Sequence, residues 1–536
     1  MNGEMQTSGT PIVHIGVGHF ARGHWFDLIQ QMGMEVTGVQ VNSAGDRDKL
    51  QVNDFDYDLI VKKPGTEPAI ERIAALKDIL VAKEDRAKVV RTLADPSTQL
   101  VSLTITPKGY AGVSTSDIQR EMSRTPNAGY RTIEEPATAA AYIAAALQIR
   151  FQNGLEPFSI LPLDNHPNSA NELRALLIKY ATEVSPEFAI WVSNVECLEA
   201  MGDRIVSSVE KDPAHVAYLE ELAKTQEFLP LPMIVEPMPR FMCLAISPVK
   251  SDNPVLKKLL EMDGVVSVED VEKYELLKTR AVNSAHLAIG VMGRAIGGFD
   301  YAHEVMENPV LRKFIEDFTL QMVNSLPDYS RVNKREYARG VIARISNDQL
   351  MDPLSRISRN ALGKLPNLLL NPLSHLMSSE QPHDRLDVVV AAYIELLKQG
   401  AQARVEKLPF DLNDPAAIEA DILGLEPKLY DNLKIITAAP VTDKVFGSFN
   451  NREQMLDSIH AGRGDLFEIA EQVREGFIPG VSELYSDEVV EKPASSINRP
   501  VEPLIGPVVP TLFDSSSTGP LERPFTPAGD RPQLGE

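Results

Sequence analysis

The sequence is poor in cysteine, in basic charge and in long apolar runs, and each shortage excludes a class of protein. Its two cysteines, Cys197 and Cys243, are too few for a disulfide framework and lack zinc-ligand spacing, as expected in a reducing compartment. Acidic residues outnumber basic ones by 75 to 53, and a formal charge of -22 disfavours nucleic acid and anionic membranes as partners. We therefore expect the partner to be a small molecule.

Hydrophobic segments are equally limited. The opening residues MNGEMQTSGT contain no basic region followed by an apolar core, and no later apolar run approaches the length of a membrane span. We expect a cytoplasmic protein that is a monomer or a weak homo-oligomer. At 536 residues the chain is too long for a single hydrophobic core, so two or three domains are expected.

Two kinds of pattern divide the chain. In the first half, short apolar strands are predicted at residues 11–18, 35–42, 99–106, 158–163 and 189–193. Helices are predicted between them at residues 20–33, 84–93, 138–152 and 169–182. This alternation predicts an α/β, Rossmann-type dinucleotide-binding domain over residues 1–252. Helical patterns then dominate, at residues 255–261, 268–295, 309–325, 334–345, 384–399, 427–438 and 452–476. They predict a mostly α-helical domain over residues 253–485, and the Pro- and Ser-rich residues 486–536 are expected to form a disordered tail.

The first strand runs into a glycine turn of the kind that binds dinucleotides. Gly16 and Gly18, followed by Phe20, provide the first two glycines of such a turn, where a backbone without Cβ lets pyrophosphate approach a helix N-terminus. The third glycine is displaced from position 21 to Gly23. An ordinary strand–helix turn is the alternative interpretation.

Further cofactor ligands are expected where later strands end. Asp46, beyond the second strand, is a candidate for binding the adenosine ribose hydroxyls and so for selecting NAD over NADP. Alternatively, residues 43–48 form only a turn and helix cap, and Arg47 accommodates a phosphate. Ligands of parallel sheets bind beyond the carboxyl ends of the strands, which here adds Thr104, Thr106 and Lys108.

The stretch Tyr274 to Gly290, YELLKTRAVNSAHLAIG, contains the strongest candidates for catalysis. At about 100° per residue, Lys278, Glu275, His286 and Asn283 lie at roughly 0°, 60°, 80° and 140° on one broad helix face. Burial among apolar neighbours lowers the pKa of a lysine, so that its amine can accept a proton. Amide and ring N–H groups beside it can bind an oxygen on which negative charge develops. The alternative is an amphipathic helix with structural polar residues.

Two polar positions in the first half are further candidates for the site, and each also has a structural interpretation. Asn165 follows a strand and is a second candidate amide for the reacting oxygen, although an Asx-turn before the next helix would need no function. Asp203 precedes Arg204, and a buried ion pair between the two could be purely structural.

Several ordered blocks of the sequence resemble the polyol-specific long-chain dehydrogenases, the mannitol dehydrogenase family. The most specific block is K-x-x-x-x-N-x-x-H, present as Lys278, Asn283 and His286. The others are GVGHFARGH, LADPSTQLVSLTITPKGY, LPLDNHPNSANEL, VECLEAMGDRIV, VEPMPRF and DPLSRISRNALGKLP. The resemblance extends over most of the chain from Ile12 to about Gly480.

The resemblance implies a role for each matching residue. Lys278 would be the general base, Asn165 and Asn283 the oxyanion donors, and His286 a ligand of the substrate oxygen. Glu275 would lie on the proton path from Lys278. Three further residues would hold the substrate hydroxyls: Asp203, Arg356 and Lys364. NAD is the implied cofactor, and no metal is required.

Departures from the family pattern bear on the substrate. Pro107 replaces the Glu of T-x-T-E, residues 161–163 replace V-x-S-C, Met238 and Pro239 alter the E-P-x-x-x-W block, and the acidic residues that usually follow that block are missing after Phe241. We expect interconversion of a neutral polyol and its ketose, with mannitol and fructose as the pair. The alternatives are reduction of a uronate such as fructuronate or tagaturonate, and a catalytically silent NAD-binding sensor.

Two other enzyme classes are disfavoured. Tyr274 and Lys278 form the Y-x-x-x-K pair of short-chain dehydrogenases, but those enzymes are single sheet domains of about half this length. Zinc alcohol dehydrogenase chemistry needs Cys and His ligands, whereas the closely spaced histidines His14, His19 and His24 fall in the glycine turn.

Overall fold

Two stretches of polypeptide, one built on a parallel sheet and one almost wholly helical, make up the part of the chain that the structure describes. The structure, a computed structural model, describes residues 9–106, 109–110, 113–124, 131–164, 168–207, 213–329, 332–407, 449 and 451–486. Lys108, Asn165, the predicted helix at residues 427–438 and residues 487–536 of the predicted tail lie outside these ranges.

A five-stranded sheet forms the centre of the first half. Its strands are Ile12–Ile15 (β1), Val36–Gln40 (β2), Leu76–Val81 (β5), Leu100–Leu103 (β6) and Ser159–Pro162 (β9), in the order β5-β2-β1-β6-β9. All pairings are parallel. Alternate residues of β1 enter two hydrophobic cores, because Val13 and Ile15 pack on one face of the sheet and Ile12 on the other. This is the predicted Rossmann-type arrangement with both faces covered.

Smaller sheets, which the strand patterns did not predict, lie beside this one. The first comprises Ala200–Gly202 (β10), Leu244–Ile246 (β13) and Val265–Ser267 (β14). The second comprises Val206–Ser207 (β11), Met233–Val235 (β12), Tyr57–Val61 (β3) and Ala69–Ile73 (β4). Met122–Arg124 (β7) and Arg131–Ile133 (β8) pair in antiparallel orientation. Because β10 ends at Gly202, it delivers Asp203 to the cleft described below.

Of the helices of the first half, those that begin at residues 26, 86, 139, 169 and 254 lie at predicted positions, those that begin at residues 47, 115 and 213 were not predicted, and the one that begins at residue 186 was predicted as a strand. These helices are Phe26–Gln31 (α1), Arg47–Gln51 (α2), Arg86–Ala94 (α3), Thr115–Arg120 (α4), Ala139–Gln152 (α5), Ser169–Val184 (α6), Pro186–Ser193 (α7), Pro213–Leu222 (α8) and Pro254–Leu259 (α9). The predicted strand at residues 189–193 is wrong, since these residues belong to α7. The Ser185 side chain accepts the Phe188 N–H, Pro186 occupies the first turn, and Phe188 and Val192 bury one face.

The second half is mostly helical, as predicted. Its α-helices are Val271–Lys278 (α10), Ser284–Ile296 (α11), Ala302–Glu307 (α12), Pro309–Asn324 (α13), Lys334–Ile345 (α14), Leu354–Ile357 (α15), Ala361–Leu365 (α16), Asn371–Ser378 (α17), Asp384–Glu406 (α18) and Arg452–Glu475 (α19). They share one large hydrophobic core, in which α11 packs against α18 and α15. This core holds the catalytic candidates of α10 and α11 in place.

Three π-helices interrupt the regular elements within the described ranges. They are Ala21–Trp25 after the glycine turn, Thr279–Asn283 between α10 and α11, and Pro366–Leu370 between α16 and α17. Such turns are frequent at functional sites. The sequence predicted one regular helix through residues 268–295, so the second π-helix changes the predicted arrangement of the side chains on it.

Candidate active site

The glycine turn has the shape that a dinucleotide requires. Gly16 adopts φ of +99°, and a Cβ on it would lie 2.1 Å from the Thr104 carbonyl oxygen. Only glycine fits there, because both the backbone conformation and the space exclude a side chain. A Cβ on Gly18, by contrast, would meet nothing within 4 Å. The turn therefore leaves open space beside the start of the following helix, where a pyrophosphate fits.

The displaced third glycine has a packing role. A Cβ on Gly23 would lie 2.5 Å from Cγ1 of Val206 in β11. Gly23 thus lets the first π-helix approach the second small sheet. The predicted cofactor residue Phe20 lies at the start of this π-helix, and its ring stacks 4.8 Å from the ring of His24.

Polar side chains hold the glycine turn against the neighbouring strand. The Thr104 hydroxyl donates to the Gly16 carbonyl oxygen at 2.6 Å, and His14 Nε2 lies 3.0 Å from the same hydroxyl. Thr104 therefore braces the turn, whereas Thr106 is exposed just beyond the strand end. Burial lowers the pKa of His14 to about 3, so its ring stays neutral.

Asp46 makes an ion pair rather than a helix cap. Its Oδ2 accepts from Nη2 of Arg22 at 2.9 Å, and although Asp46 occupies the N-cap position of α2, its side chain makes no capping hydrogen bond. Arg47 pairs with Asp48 and Glu84. The Asp46 carboxylate thus lies beyond the second strand, at the start of α2, and pairs with the buried Arg22.

The Lys278 side chain is buried at the end of α10. Its Nζ donates to the Gly202 carbonyl oxygen at 2.6 Å, which joins α10 to the end of β10. Burial lowers the pKa of Lys278, although the nearby Asp203 carboxylate opposes part of the decrease. An amine held in this way can be neutral closer to physiological pH than an ordinary lysine.

The second π-helix alters how Asn283 relates to Lys278. The Ser284 N–H bonds to the carbonyl of Thr279, five residues back, instead of four. Residues five positions apart, such as Lys278 and Asn283, therefore lie about one turn above one another rather than the predicted 140° apart. The predicted angles assumed a regular α-helix, and the wider turn brings amine and amide to a common side.

His286 lies on the first turn of α11. Burial lowers its pKa to about 4, an effect that Asp352 opposes and that Arg356 and Arg344 strengthen. The imidazole is therefore neutral at physiological pH, with one ring nitrogen as donor and one as acceptor.

Glu275 precedes Lys278 by one helical turn. Burial and the neighbouring carboxylates of Glu199 and Glu272 raise the pKa of Glu275 to about 7, while Lys278 opposes the increase. A carboxyl group with this pKa can both take and release a proton near neutrality. Glu199, just before β10, also has its pKa raised by burial.

Asp203 forms a network with residues distant in sequence. Arg344, at the end of α14, donates from Nη1 and Nη2 to Asp203 at 2.7 and 3.0 Å, and from Nη2 and Nε to Glu236 at 2.7 and 3.0 Å. Burial alone would raise the pKa of Asp203, but the pairing with Arg344 outweighs burial and lowers it. The sequence alternative of an Asp203–Arg204 pair is wrong, because Arg204 donates to Asp27 at 2.6 Å.

The two cations predicted for the substrate lie on α15 and α16. Arg356 forms an ion pair with Asp352, in which Nε lies 2.6 Å from Oδ1. Lys364 Nζ donates to the carbonyl oxygen of Ile357 at 3.1 Å. His286 is influenced electrostatically by both Asp352 and Arg356, which puts this pair on the side of the cleft that α11 borders.

Three residues near this site were not predicted. Arg344 holds Asp203. Tyr337 lies about two turns before Arg344 on the same face of α14, and its buried hydroxyl has no hydrogen-bond partner in the described structure. His24 is fully buried with both ring nitrogens unpaired, and its Nε2 would lie 3.3 Å from a Cβ on Gly202. His24 could have been noticed in the motif GVGHFARGH, whereas nothing local singles out Arg344 or Tyr337.

The described residues include neither a metal-binding cluster nor a membrane-spanning helix. They contain no group of three or more His, Cys, Asp and Glu side chains that could hold a metal ion. Nor, within the same ranges, is any helix both long and apolar enough to cross a membrane.

Solved structures share the fold over most of the chain. A D-sorbitol dehydrogenase in substrate-free form aligns with a TM-score of 0.70 and 23% identity, over 89% of this chain and 96% of that one. The Pseudomonas fluorescens mannitol 2-dehydrogenase, in a ternary complex with NAD and D-mannitol, aligns with a TM-score of 0.66 and 23% identity, over 90% of this chain and 95% of that one. These likenesses confirm the predicted fold class.

Sequence comparisons identify the family. The family profile described as the mannitol dehydrogenase Rossmann domain matches residues 10–257, and the mannitol dehydrogenase C-terminal domain matches residues 270–423. The mannitol 2-dehydrogenase of Aspergillus oryzae is 31% identical over 420 residues, 75% of this chain and 81% of the relative. That of Emericella nidulans is 33% identical over 439 residues, 78% and 84% respectively. The predicted resemblance and the predicted enzyme type, an NAD-dependent dehydrogenase, are confirmed, and the chain belongs to the mannitol dehydrogenase family.

Proposed function

We propose that this protein interconverts a neutral polyol and its ketose with NAD, and that Lys278 is the general base. The observation that carries the proposal is the buried Lys278 amine, held on Gly202 at 2.6 Å and one helical turn from Glu275. A lysine whose pKa is lowered by burial suits proton removal from an alcohol. The family's K-x-x-x-x-N-x-x-H motif supports the same role.

Residues of the glycine turn would hold the cofactor. When bound, NAD supplies the acceptor for the hydride of the carbinol carbon. The N–H groups that follow Gly16 and Gly18 would bind the pyrophosphate in the open space beside Gly18. We assign Asp46 to the adenosine ribose, and Phe20, Thr104, Thr106 and Lys108 to the walls of the cofactor site.

In polyol oxidation, the neutral Lys278 amine takes the hydroxyl proton. The O–H electron pair would become the second bond of the carbonyl, and the hydride of the carbinol carbon would leave to the acceptor that bound NAD supplies. Lys278 then carries the proton as an ammonium group. In ketose reduction the ammonium group returns this proton to the oxygen, so the two directions require opposite protonation states of Lys278.

Neutral donors would stabilise the oxygen during this step. Asn283 and Asn165 each offer an amide N–H, and His286, with a pKa of about 4, offers a ring N–H without adding charge. Donors of this kind stabilise an oxygen that becomes negative as the proton leaves. The proton would leave Lys278 through Glu275, whose pKa of about 7 suits a relay to solvent.

The charge balance of the substrate side favours a polyol without a carboxylate. Arg344 is neutralised by Asp203 and Glu236, and Arg356 by Asp352. A substrate carboxylate would have to compete with these acids for the same guanidinium groups, whereas hydroxyl groups can bind to both members of each pair. We assign Asp203, Arg356 and Lys364 to the hydroxyls, and mannitol with fructose remains the expected pair.

A panel of alditols and aldonates tests the proposal. Each compound is supplied with NAD, and nicotinamide absorbance is followed; we expect mannitol or a related alditol to be oxidised fastest. Faster oxidation of altronate or mannonate than of every alditol would instead identify a uronate reductase. No oxidation across the panel, with measurable NAD binding, would identify an NAD-binding sensor.

A further inference from the structure

The Arg22 guanidinium lies buried beside the proposed ribose site with most of its hydrogen-bonding capacity unused. The side chain is 2% exposed, and Nη2 donates to Asp46 Oδ2 at 2.9 Å. Nε and Nη1 have no hydrogen-bond partner among the residues that the structure describes. A guanidinium has five N–H donors and keeps its charge at any physiological pH, so this group depends on one carboxylate for its compensation.

A second cation, Lys49, also pairs with Asp46. Lys49 Nζ lies 3.6 Å from Asp46 Oδ1, and Arg47 is the next residue in the chain. The Asp46 side chain is 24% exposed, whereas Arg22 lies behind it. A single carboxylate therefore covers a buried cation and meets a second one, at the place where a dinucleotide-binding domain discriminates between a ribose hydroxyl and a 2′-phosphate.

We propose that Arg22 is a latent binding group for a ribose 2′-phosphate, and that Asp46 selects NAD by occupying it. In the wild-type protein the Asp46 carboxylate stands where the phosphate of NADP would lie and pairs with Arg22. Removing the carboxylate leaves the guanidinium without its counter-charge and opens the space in front of Nη2. A 2′-phosphate can then take the place of the carboxylate, since each anion can present two oxygens to the guanidinium fork.

This inference relies on the proposed function in one respect, the assignment of Asp46 to the adenosine ribose. Repulsion of the phosphate by Asp46 alone would give a different result when Arg22 is also substituted. If Asp46 only repels the phosphate, its removal relieves the repulsion whether or not Arg22 is present. If Asp46 also occupies Arg22, the gain in phosphate binding disappears when Arg22 is removed as well.

Calorimetric titration with 2′,5′-ADP and with 5′-ADP tests the proposal without any catalytic step. We expect the wild-type protein to prefer 5′-ADP, and Asp46→Ser to bind 2′,5′-ADP about tenfold or more tightly than the wild type. Arg22→Gln combined with Asp46→Ser should lose that gain. Equal binding of 2′,5′-ADP by the single and the double variant would overturn the proposal.

Matched variants identify the source of the gain. Asp48→Ser removes a neighbouring carboxylate that pairs with Arg47 and is 73% exposed, and it should leave both affinities unchanged. Lys49→Gln in the Asp46→Ser background should keep the gain; its loss there would assign the phosphate to Lys49 and overturn the role of Arg22. If Arg22→Gln unfolds the protein, Arg22→Lys in the Asp46→Ser background is the alternative, since it retains the charge without the guanidinium fork. It should keep only part of the gain in 2′,5′-ADP affinity. A full gain would contradict the proposal.

The result separates this inference from the proposed function. Neither nucleotide contains a nicotinamide, and no polyol is present, so the outcome does not depend on Lys278. Failure of the proposed function would appear instead as no alditol oxidation with NAD. Binding of neither nucleotide by the wild type would remove the assignment of Asp46 to the ribose and this inference with it.

Discussion

The glycine turn and the Lys278 segment are each built around a π-helix, but they form their parts of the site in different ways. All five residues of the first π-helix, Ala21–Trp25, are buried, and the site is offered by the backbone of Gly16 and Gly18 before it. The second π-helix, Thr279–Asn283, spaces side chains along the cleft instead. In the proposed function, the first region would bind the cofactor through the shape of its backbone, and the second would react through titrating side chains.

From this difference we expect that substitutions can alter cofactor binding and the chemical step independently. Backbone N–H groups do not titrate, so the glycine turn should bind NAD with little dependence on pH. The pKa of Lys278 is lowered by burial and that of Glu275 is raised to about 7, so turnover should follow pH. Variants in one region should leave the measured property of the other unchanged.

The largest effect is expected from removing the base. Lys278→Ala should lower kcat for polyol oxidation by about 10² to 10⁴, because no other group would take the hydroxyl proton. Nicotinamide fluorescence should show unchanged NADH binding. Lys273→Ala, on the exposed side of the same helix, is the matched control and should be fully active. Turnover near the wild-type rate in Lys278→Ala would remove the assignment of the base.

The glycine turn can be tested by two substitutions of the same size. Gly16→Ala places a Cβ 2.1 Å from the Thr104 carbonyl oxygen at a φ of +99°, so thermal unfolding should show a loss of about 1–3 kcal/mol or more. Gly18→Ala meets no protein atom within 4 Å, so stability should be kept. NAD affinity in Gly18→Ala should nevertheless fall on the order of tenfold, because the Cβ enters the space of the pyrophosphate. Unchanged NAD affinity would show that the pyrophosphate lies elsewhere.

A smaller effect, visible as a change in pH dependence, is expected at Glu275. Its pKa is raised to about 7, so it is protonated below that pH and cannot accept the proton of Lys278. The kcat of polyol oxidation should therefore rise with pH through about 7 in the wild type. In Glu275→Gln this inflection should disappear, with kcat at pH 8 lowered about tenfold.

The neighbouring Glu272 provides the control for that experiment. It is exposed on the same helix, and Glu272→Gln should retain the inflection but move it to lower pH, because the Glu272 charge contributes to the raised pKa of Glu275. An inflection that persists unchanged in Glu275→Gln would exclude Glu275 from the proton path.

The smallest effect is expected at Tyr337, whose buried hydroxyl has no partner in the described structure. If a substrate hydroxyl pairs with it, Tyr337→Phe should raise KM for the polyol about three- to tenfold, as for one hydrogen bond. KM for NAD should not change. The free energy of unfolding should stay equal or increase, because the substitution removes an unpaired polar group. A loss of stability with unchanged KM would make the tyrosine structural.

Local patterns predicted most of what depends on short stretches of chain. The helix at Lys334–Ile345 and the start of the long helix at Arg452 were predicted to the residue, because caps and apolar spacing are local signals. The strand prediction at residues 189–193 failed because an apolar, β-branched run of that length also suits a buried helix. The small strands of residues 57–73 and 200–246 were missed, since their pairing with distant segments stabilises them.

The same distinction between local and long-range signals applies to the residues of the site. Lys278, Asn283 and His286 could be named because they lie within one short motif, whereas the five-residue turn that aligns them left no signal in the periodicity. Arg344 could not be connected with Asp203, 141 residues away, because an ion pair between distant segments leaves no trace in either local sequence. The same holds for Asp46 and Arg22, whose contact depends on how α2 follows the second strand.

The family, the α/β-then-helical order of the chain and the candidates for the reacting groups could be inferred from the sequence alone, because motif spacing and hydrophobic periodicity are properties of contiguous residues. The pKa values and charge partners of these groups depend instead on the tertiary structure. The lowered pKa of Lys278, the pKa of about 7 at Glu275 and the pairing of Asp203 with Arg344 all arise from burial and from charges supplied by other elements. Desolvation and Coulomb interactions depend on distance in space, which the order of residues along a chain does not contain.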